Sequence, residues 1–267
     1  MKFGIVANPE IGRTVLLAKK IYDYLKNDQE VMMDEKTAKK LKIQGEKIEK
    51  MEVDLIITVG GDGTVLRTMQ KNSAPIFAIN MGKLGFLTEA LPIDLESSLD
   101  RLISGNYFID ERKKLKVEIN GKRYLDCTNE LVIHTAEIAK LRTFAIYVDD
   151  ELLEDVRADG IIVSTPTGST SYALSTGGPI LNPRINGFVI TFIAPFRRGA
   201  GPHVVPSDSK LEIHFLDPRK KSFAVFDGQV YVKVSKKDRI TMTESENVAK
   251  FIRFSTNFYE KLREKRI

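Results

Sequence analysis

The chain has one cysteine, no tryptophan and three histidines in 267 residues. A lone thiol, Cys127, excludes an internal disulfide framework and fits a reducing compartment. His134, His203 and His214 are scattered, with no HExxH or comparable spacing, so they spell no metal-ligand set. No uninterrupted apolar run approaches the roughly 18 residues of a membrane span, and MKFGIVANPE is too short an apolar start for a secretory signal. A large charge surplus is missing too. The net charge of +5 suits anionic small molecules but is too small to argue for nucleic acid. The expectation is a cytoplasmic protein with neither a membrane nor a nucleic-acid partner. Also absent are the P-loop GxxxxGK[ST] and the Rossmann GxGxxG, so neither common nucleotide motif accounts for the glycine clusters of this chain.

What is present is an ordinary globular composition, 42% hydrophobic and 29% charged, long enough for one large domain or two modest ones. The first hundred residues alternate strand and helix patterns. KFGIVAN (2–8) reads as a short buried strand. TVLLAKKIYDYLKN (14–27) is next, an amphipathic helix with Val15, Leu16, Ile21, Tyr22 and Leu25 roughly at helical spacing. A Lys/Glu-rich stretch, 34–50, reads as helix or connection. DLIITVG (54–60) is a continuous apolar run, as for a parallel strand covered on both faces. TVLRTMQKN (64–72) reads as helix, PIFAIN (75–80) as strand, and DLESSLDRLISGN (94–106) as a helix capped by Asp94 and stopped at Gly105.

Beyond residue 107 the texture changes to short alternating runs separated by turns, and Asn120–Gly121 between two of them is a hairpin signal. The tail, FIRFSTNFYEKLREKRI, returns to a helical pattern. The expected fold is an α/β N-terminal domain over 1–106, a parallel sheet flanked by helices, then an all-β, sandwich-like domain over 107–247. A helical tail over 248–267 returns to the first domain.

Three clusters carry chemistry. In GGDGT (60–64), glycines let backbone N–H groups face a ligand, and the helix after them favours phosphate at its N-terminus. Asp62 among them can accept a hydroxyl proton or help to hold Mg²⁺. The plain alternative is a tight strand-to-helix turn with Asp62 as its cap. In RADGIIVSTPTGSTSYALSTGGP (157–179), a strand runs into Thr165, Thr167, Ser169, Thr170, Ser171 and Ser175, with the ring of Tyr172 among them. Such a loop can hydrogen-bond a nucleobase and ribose while the ring stacks. The alternative is a solvated Ser/Thr/Gly turn. Arg157 and Asp159 precede that strand closely. In CTNELVIH, the pair Asn129–Glu130 opens a strand, where it can read an adenine edge or bridge ribose hydroxyls, although taken alone the pair is uninformative and an ordinary strand start is the simpler reading.

Together these segments resemble the NAD kinase family. GGDGT, MGKLGFLTE (81–89), Asn129–Glu130, DGIIVSTPTGSTSYALSTGGP (159–179), FIAPFRRGAGPHVVPSD (192–208) and FDGQ (226–229) stand in the family's order across nearly the whole chain. GGDG alone is shared with 6-phosphofructokinases and lipid kinases, so the long 159–179 block carries the substrate class. The resemblance implies transfer of the γ-phosphoryl of ATP, or of polyphosphate in some members, to the adenosine 2′-hydroxyl of NAD. It also implies NADP as the product, Mg²⁺ held mainly by donor phosphates, and a homodimer or homotetramer built through the β domain.

By the same resemblance Asp62 accepts the hydroxyl proton, Gly63 lies against the ligand, Arg67 meets a phosphate or ribose, and Phe86 packs in the pocket. Asn129 and Glu130 bind the dinucleotide. Asp159, Thr167 and the run Thr170, Ser171, Tyr172, Ala173, Leu174 and Ser175 contact it, with Tyr172 beside the adenosine. Lys140 and Arg157 are cations for the pyrophosphate or the new 2′-phosphate, and Gln229 is a further contact. Two departures stand out. Ala194-Pro195-Phe196-Arg197 replaces the family's Cys-Pro-His-Ser-like stretch, and NPEIGRT lacks the lysine many members place after Asn-Pro, leaving Asn8 and Arg13 there. Ser207-x-x-Lys210 spells a β-lactamase fragment without its companions and is assigned to chance.

Two competing functions are weaker. A lipid or sugar kinase would keep GGDGT without needing the STPTGSTSY block beside Asn129–Glu130. A non-catalytic NAD(P) sensor would not need Asp62.

Overall fold

In a computed structural model, residues 1–82, 85–196, 200–217 and 221–265 are described. The chain divides into two units: Met1–Glu111 with Ala249–Ile267, and Arg112–Val248.

The first unit is built on four parallel strands, β1 (Lys2–Ala7), β2 (Glu30–Met33), β3 (Leu55–Val59) and β4 (Ile76–Ile79), in the order β2-β1-β3-β4. Every residue of β3 and β4 is buried, which is why these runs are continuously apolar. The two-residue alternation then sorts their side chains by face. Phe3, Ile5, Leu55, Ile57 and Phe77 meet Leu17, Ala18 and Ile21 of helix α1 (Gly12–Leu25) and Leu99 and Leu102 of the later helix Leu95–Ile103. Val6, Ile56, Ile76 and Ala78 pack with Val65, Leu66 and Met69 on the other face. Those three belong to the helix Asp62–Met69.

With α2 (Glu35–Leu41) counted, these two helices are α3 (Asp62–Met69) and α4 (Leu95–Ile103). The Lys/Glu-rich stretch thus resolves into α2, capped by Asp34 through the N–H groups of Lys36 and Thr37, and an irregular connection. Gly105 ends α4 at φ 70° as expected, but the Asp94 side chain makes no capping hydrogen bond. Because the chain leaves β1 to one side and returns to β3 on the other, the sheet switches direction between those strands. Open α/β sheets bind ligands at the carboxyl ends flanking such a switch.

The second unit contains two sheets around one core. Its strands are β5 (Phe108–Ile119, beginning in the first unit), β6 (Lys122–Arg123), β7 (Glu130–Thr135), β8 (Arg142–Val148), β9 (Glu151–Ala158), β10 (Gly160–Ser164), β11 (Gly187–Ile193), β12 (His203–Pro206), β13 (Leu211–Phe215), β14 (Ser222–Phe226), β15 (Val230–Val234) and β16 (Ile240–Arg253). One sheet has the antiparallel order β12-β11-β10-β7-β14-β15; the other includes β16-β13-β8-β9. Leu131, Ile133, Ile161, Val163, Phe188 and Phe226 from the first face Phe144, Ile146, Leu211, Ile213 and Met242 from the second. The Asn120–Gly121 turn joins β5 to β6 with φ of 55° and 75°, as a type I′ hairpin requires. One short helix, α5 (Tyr172–Ser175), comes after β10.

The tail differs from its helical expectation. β16 continues to Arg253, with Phe251 paired parallel to Ile76 of β4, and only α6 (Phe258–Lys265) is helical. Ala249, Phe251 and Ile252 are buried, so burial beside β4 overrides the helical spacing. The tail belongs to the first unit, as expected from the sequence. No helix among the described residues is long and apolar enough to cross a membrane.

Candidate active site

In the first unit, β3 delivers GGDGT at its carboxyl end and α3 begins within it. Asp62 is the first residue of α3, and Gly61 occupies the cap position. A carboxylate there complements the helix dipole, but Asp62 makes no capping hydrogen bond. Its two oxygens instead accept from the 85–89 loop: Phe86 N–H donates to Oδ2 at 3.2 Å and Leu87 N–H to Oδ1 at 3.3 Å. Gly61 and not Asp62 holds the cap position, and Asp62 anchors the 85–89 loop instead.

Two glycines are required by packing. A Cβ on Gly60 would overlap Thr64 Oγ1, and a Cβ on Gly85 would overlap the Asp62 carboxylate. Gly63, by contrast, faces space with no heavy atom within 4 Å of an ideal Cβ. Gly85→Ala is therefore expected to push Asp62 and the loop apart, lowering kcat by about 10- to 100-fold, since a misplacement near 1 Å costs that order. Steady-state kinetics check this, and a wild-type kcat would contradict it.

The same loop is tied to the tail. Arg253 Nη1 donates to the carbonyls of Leu87 and Thr88, each at 3.2 Å, and to Glu89 Oε2 at 3.0 Å. Its Nη2 donates to Phe86 O at 3.4 Å, and Lys261 Nζ donates to Thr88 O at 2.6 Å. The Phe86 ring lies 6.4 Å from that of Phe258 and 4.3 Å from Lys265 Nζ.

Arg67, on α3, donates through Nη2 to Ala7 O at 2.9 Å. It borders a polar cavity of about 300 Å³ with Lys36, Lys47, Lys71 and three carboxylates, Asp34, Glu35 and Glu49. Asn8 accepts the Glu10 N–H at 3.1 Å in a local turn.

In the second unit, Asp227 organises the Asn129–Glu130 pair. It sits at φ 48° between β14 and β15 and is buried. Its carboxylate accepts the N–H groups of Thr128, Asn129 and Glu130 at 2.9, 2.7 and 3.1 Å. The loop after β10 is knitted to the same segment: Thr165 Oγ1 donates to Thr128 O, Ser164 Oγ to Asn129 O, and Ser171 Oγ to Glu130 Oε1. Many of the loop's hydroxyls thus serve the protein. Thr170 donates to Thr167 O, and Ser169 to Pro166 O.

Two side-chain oxygens there have no hydrogen-bond partner although they are buried, Asn129 Oδ1 and Glu130 Oε2; a third, Asp159 Oδ1, lies at the opposite end of β10. A buried unsatisfied polar atom costs stability unless a hydrogen-bond partner arrives. Glu130 also borders a mostly apolar cavity of about 350 Å³. Val132 and His134 continue its wall along β7, Phe223 and Val225 along β14, and Tyr172, Gly228 and Tyr231 complete it. Tyr172 is half-exposed and free to lie against a flat ligand; Ala173 beside it is buried, Leu174 is partly buried, and Ser175 is exposed. Gln229 comes after Gly228 in the turn, its N–H bonded to Phe226 O.

The remaining candidates lie elsewhere on this unit. Glu130 pairs with Ser164 and His134 with Gly160, so Asp159 lies five residues along the strand pair from Glu130, about 17 Å away by strand rise. Arg157 is exposed on β9 with its guanidinium 5.5 Å from the Phe196 ring centroid. Lys140 is exposed and paired with Glu137 at 2.6 Å. Of the departing stretch, Ala194 adopts φ 45°, and Arg197 lies outside the described residues.

Burial, reinforced by the Asp227 charge, pushes the Glu130 carboxyl up from 4.5 to about 8. In the unfolded chain the proton leaves near 4.5, whereas the folded state keeps it until about 8. Across that window the native state holds more protons, so stability falls as pH rises through it. Glu130→Gln removes the titration. Its melting temperature is expected to gain on wild type as pH rises from about 5 to 8, and a pH-independent difference would contradict the shift.

Sequence alone does not single out Gly85, Asp227, Glu89, Arg253 or Lys261 as site residues. The one signal it carries is Arg253 inside the apolar run FIRF, because an arginine among buried residues needs a partner. No group of three or more His, Cys, Asp or Glu side chains suited to a metal occurs among the described residues.

The comparisons with known proteins agree throughout the chain. Residues 3–107 match the family model of the ATP-NAD kinase N-terminal domain, and residues 128–254 that of the ATP-NAD kinase C-terminal domain. The chain is 44% identical over 265 residues to an NAD kinase of Thermoplasma acidophilum, covering 99% of this chain and 97% of the relative. It is 43% identical to an NAD kinase of Thermococcus sibiricus, covering 98% and 97%. A solved NAD kinase from Archaeoglobus fulgidus in complex with ATP superposes with a TM-score of 0.81 at 30% identity, over 99% of this chain and 98% of that one. Yeast NADH kinase complexed with NADH gives 0.89 at 21% identity, over 99% and 86%, and supports the fold. With both family domains matched in order and relatives aligned over almost their entire length, the chain belongs to the NAD kinase family.

Proposed function

We propose that this NAD kinase transfers the γ-phosphoryl of ATP to the adenosine 2′-hydroxyl of NAD, giving NADP and ADP, with Mg²⁺ as the metal. The observation that carries the reading is the Asp62 carboxylate, used by no helix cap and held by two N–H groups at the carboxyl end of β3. In the reaction the 2′-oxygen forms a bond to phosphorus, the bond between that phosphorus and the bridging oxygen of ADP breaks, and the hydroxyl proton passes to Asp62. Each Asp62 oxygen accepts one N–H bond from the 85–89 loop and retains acceptor capacity. Phosphoryl transfer asks little more of a protein than positioning and charge.

The orphaned acceptor Asn129 Oδ1 matches a donor of an adenosine, its exocyclic amine or a ribose hydroxyl, and Glu130 Oε2, which keeps its proton up to about pH 8, offers an O–H to a ribose or ring acceptor. Tyr172, Thr167, Thr170, Ser171, Ala173, Leu174, Ser175 and Gln229 are assigned to dinucleotide contacts, with Gly63 and Phe86 beside the reacting end. Arg67 and the lysines around its cavity are assigned to phosphate. Lys140, Arg157 and Asp159 complete the assignment. Mg²⁺ fits as a metal carried chiefly by phosphate oxygens and water, with Asp62 as the one carboxylate offered by GGDGT. When bound it neutralises charge on the transferring phosphates. A cytoplasmic homodimer or homotetramer built through the second unit fits the family.

The test is product formation from NAD with Mg²⁺ and either ATP or polyphosphate, and again with the metal chelated. NADP from ATP that vanishes on chelation supports the reading. NADP from polyphosphate alone overturns the donor, and undiminished turnover in chelator overturns the metal.

A further inference from the structure

Arg253, Lys261 and Glu89 are almost fully buried, at 3%, 3% and 9% exposure, and the phosphoryl transfer uses none of them directly. We propose that Arg253 and Lys261 are positioning residues that act on the reaction through Asp62, by fixing the peptide planes of the 85–89 loop. This rests on Asp62 being the residue that faces the reacting hydroxyl.

The mechanical link is one peptide bond. The carbonyl of Phe86 and the N–H of Leu87 belong to the same planar trans unit and point in opposite directions. Arg253 Nη2 holds the carbonyl edge, and Asp62 Oδ1 holds the N–H edge at 3.3 Å. Rotating that plane out of the grip of Arg253 therefore moves the donor that orients Asp62. The next two carbonyls, of Leu87 and Thr88, are gripped by Arg253 Nη1, and Thr88 O also by Lys261. Glu89 balances both cations, Oε2 lying 3.0 Å from Arg253 Nη1 and 3.6 Å from Lys261 Nζ. Its Oε1 accepts the Phe254 N–H at 2.8 Å. Asp110 adds a carboxylate 3.7 Å from Arg253 Nε.

A cluster serving only to fill the interior gains little from these charges, because buried ion pairs are often replaced by apolar residues without loss. What apolar side chains cannot do is hold three successive carbonyls. The guanidinium fork suits that task and an ammonium does not. Arg253→Lys, which keeps the charge opposite Glu89 but loses the fork, separates the two roles.

The experiment measures NADP formation, KM values and melting temperatures for Asp62→Asn, Arg253→Lys, Lys261→Met and the two doubles combining Asp62→Asn with each tail change. Arg253→Lys and Lys261→Met are each expected to lower kcat about tenfold or more, by misorienting a group at the reacting centre, with KM for NAD within about twofold. In the Asp62→Asn background each tail change is expected to cost less than about twofold, because residues acting as a unit are not additive. If Arg253→Lys does not fold, Lys261→Met and its double carry the same expectation. Asp62→Asn inactive with both tail variants at wild-type kcat would overturn this inference alone. So would a tenfold loss from a tail change on top of Asp62→Asn. A fully active Asp62→Asn would overturn the reading of Asp62, and this inference with it.

Discussion

Asp62→Asn is expected to lower the rate of NADP formation by roughly 10²- to 10⁴-fold, the range associated with losing a positioned proton acceptor. The substitution is nearly isosteric and keeps one carbonyl oxygen for the 85–89 loop. It places an amide NH₂ where the other oxygen accepted a backbone N–H, and it removes the group able to take the hydroxyl proton. The dinucleotide contacts assigned to Asn129, Glu130 and Tyr172 are untouched, so NAD affinity is expected to stay within about threefold of wild type, a loss confined to the transition state. Initial rates together with calorimetric binding of NAD separate the two quantities. Wild-type turnover would remove Asp62 from the chemistry, whereas lost binding with intact kcat would make it a substrate contact.

Asp227→Ala is expected to be the most damaging of these changes to stability, by about 3 kcal/mol or more, because it leaves buried backbone N–H donors without an acceptor. Three N–H groups, of Thr128, Asn129 and Glu130, lose their acceptor at once, and each orphaned donor costs on the order of 1–3 kcal/mol. The backbone adds to this, because Asp227 sits at φ 48°, where Asp is tolerated far better than Ala. For a protein of this size the melting temperature falls by roughly 2–4 °C per kcal/mol, hence about 10 °C or more. Asp227→Asn keeps an acceptor oxygen and the tolerance for positive φ, so about half of that loss is expected. Thermal melts of the two variants check the order, and an Asp227→Ala protein as stable as wild type would contradict it. Dinucleotide affinity should fall with stability, since Asp227 sets the backbone from which Asn129 and Glu130 project.

Much of the fold was legible because local signals agreed with tertiary burial. β3 was readable as a buried parallel strand from its unbroken apolar run, and the β5–β6 hairpin from Asn120–Gly121. The tail was not. FIRFSTNFYEKLR has apolar residues at helical spacing, but Phe251 and Ile252 are buried in the first unit, and only residues from Phe258 onward form helix. Asp62 could be located from GGDGT but not relieved of a capping role, since its actual partners are 24 and 25 residues away. The Arg253–Glu89 contact spans 164 residues, and no local pattern carries it. Likewise Asp227 is an ordinary turn residue in sequence, and only its three backbone donors reveal what it holds. The substrate was legible only through the order of several motifs taken together. The Ser/Thr-rich loop by itself would have been misread, because several of its hydroxyls are bonded within the protein.

The central claim is chemical: a phosphoryl group arrives on the adenosine 2′-oxygen, with Asp62 taking the proton. ³¹P NMR of the product made from NAD, ATP and Mg²⁺, with the 2′-deoxyadenosine analogue of NAD in parallel, tests it most directly. The expected result is one new phosphomonoester coupled to the 2′-proton, and no product from the analogue. Phosphorylation of the analogue, or a phosphate at any other hydroxyl of NAD, would contradict it.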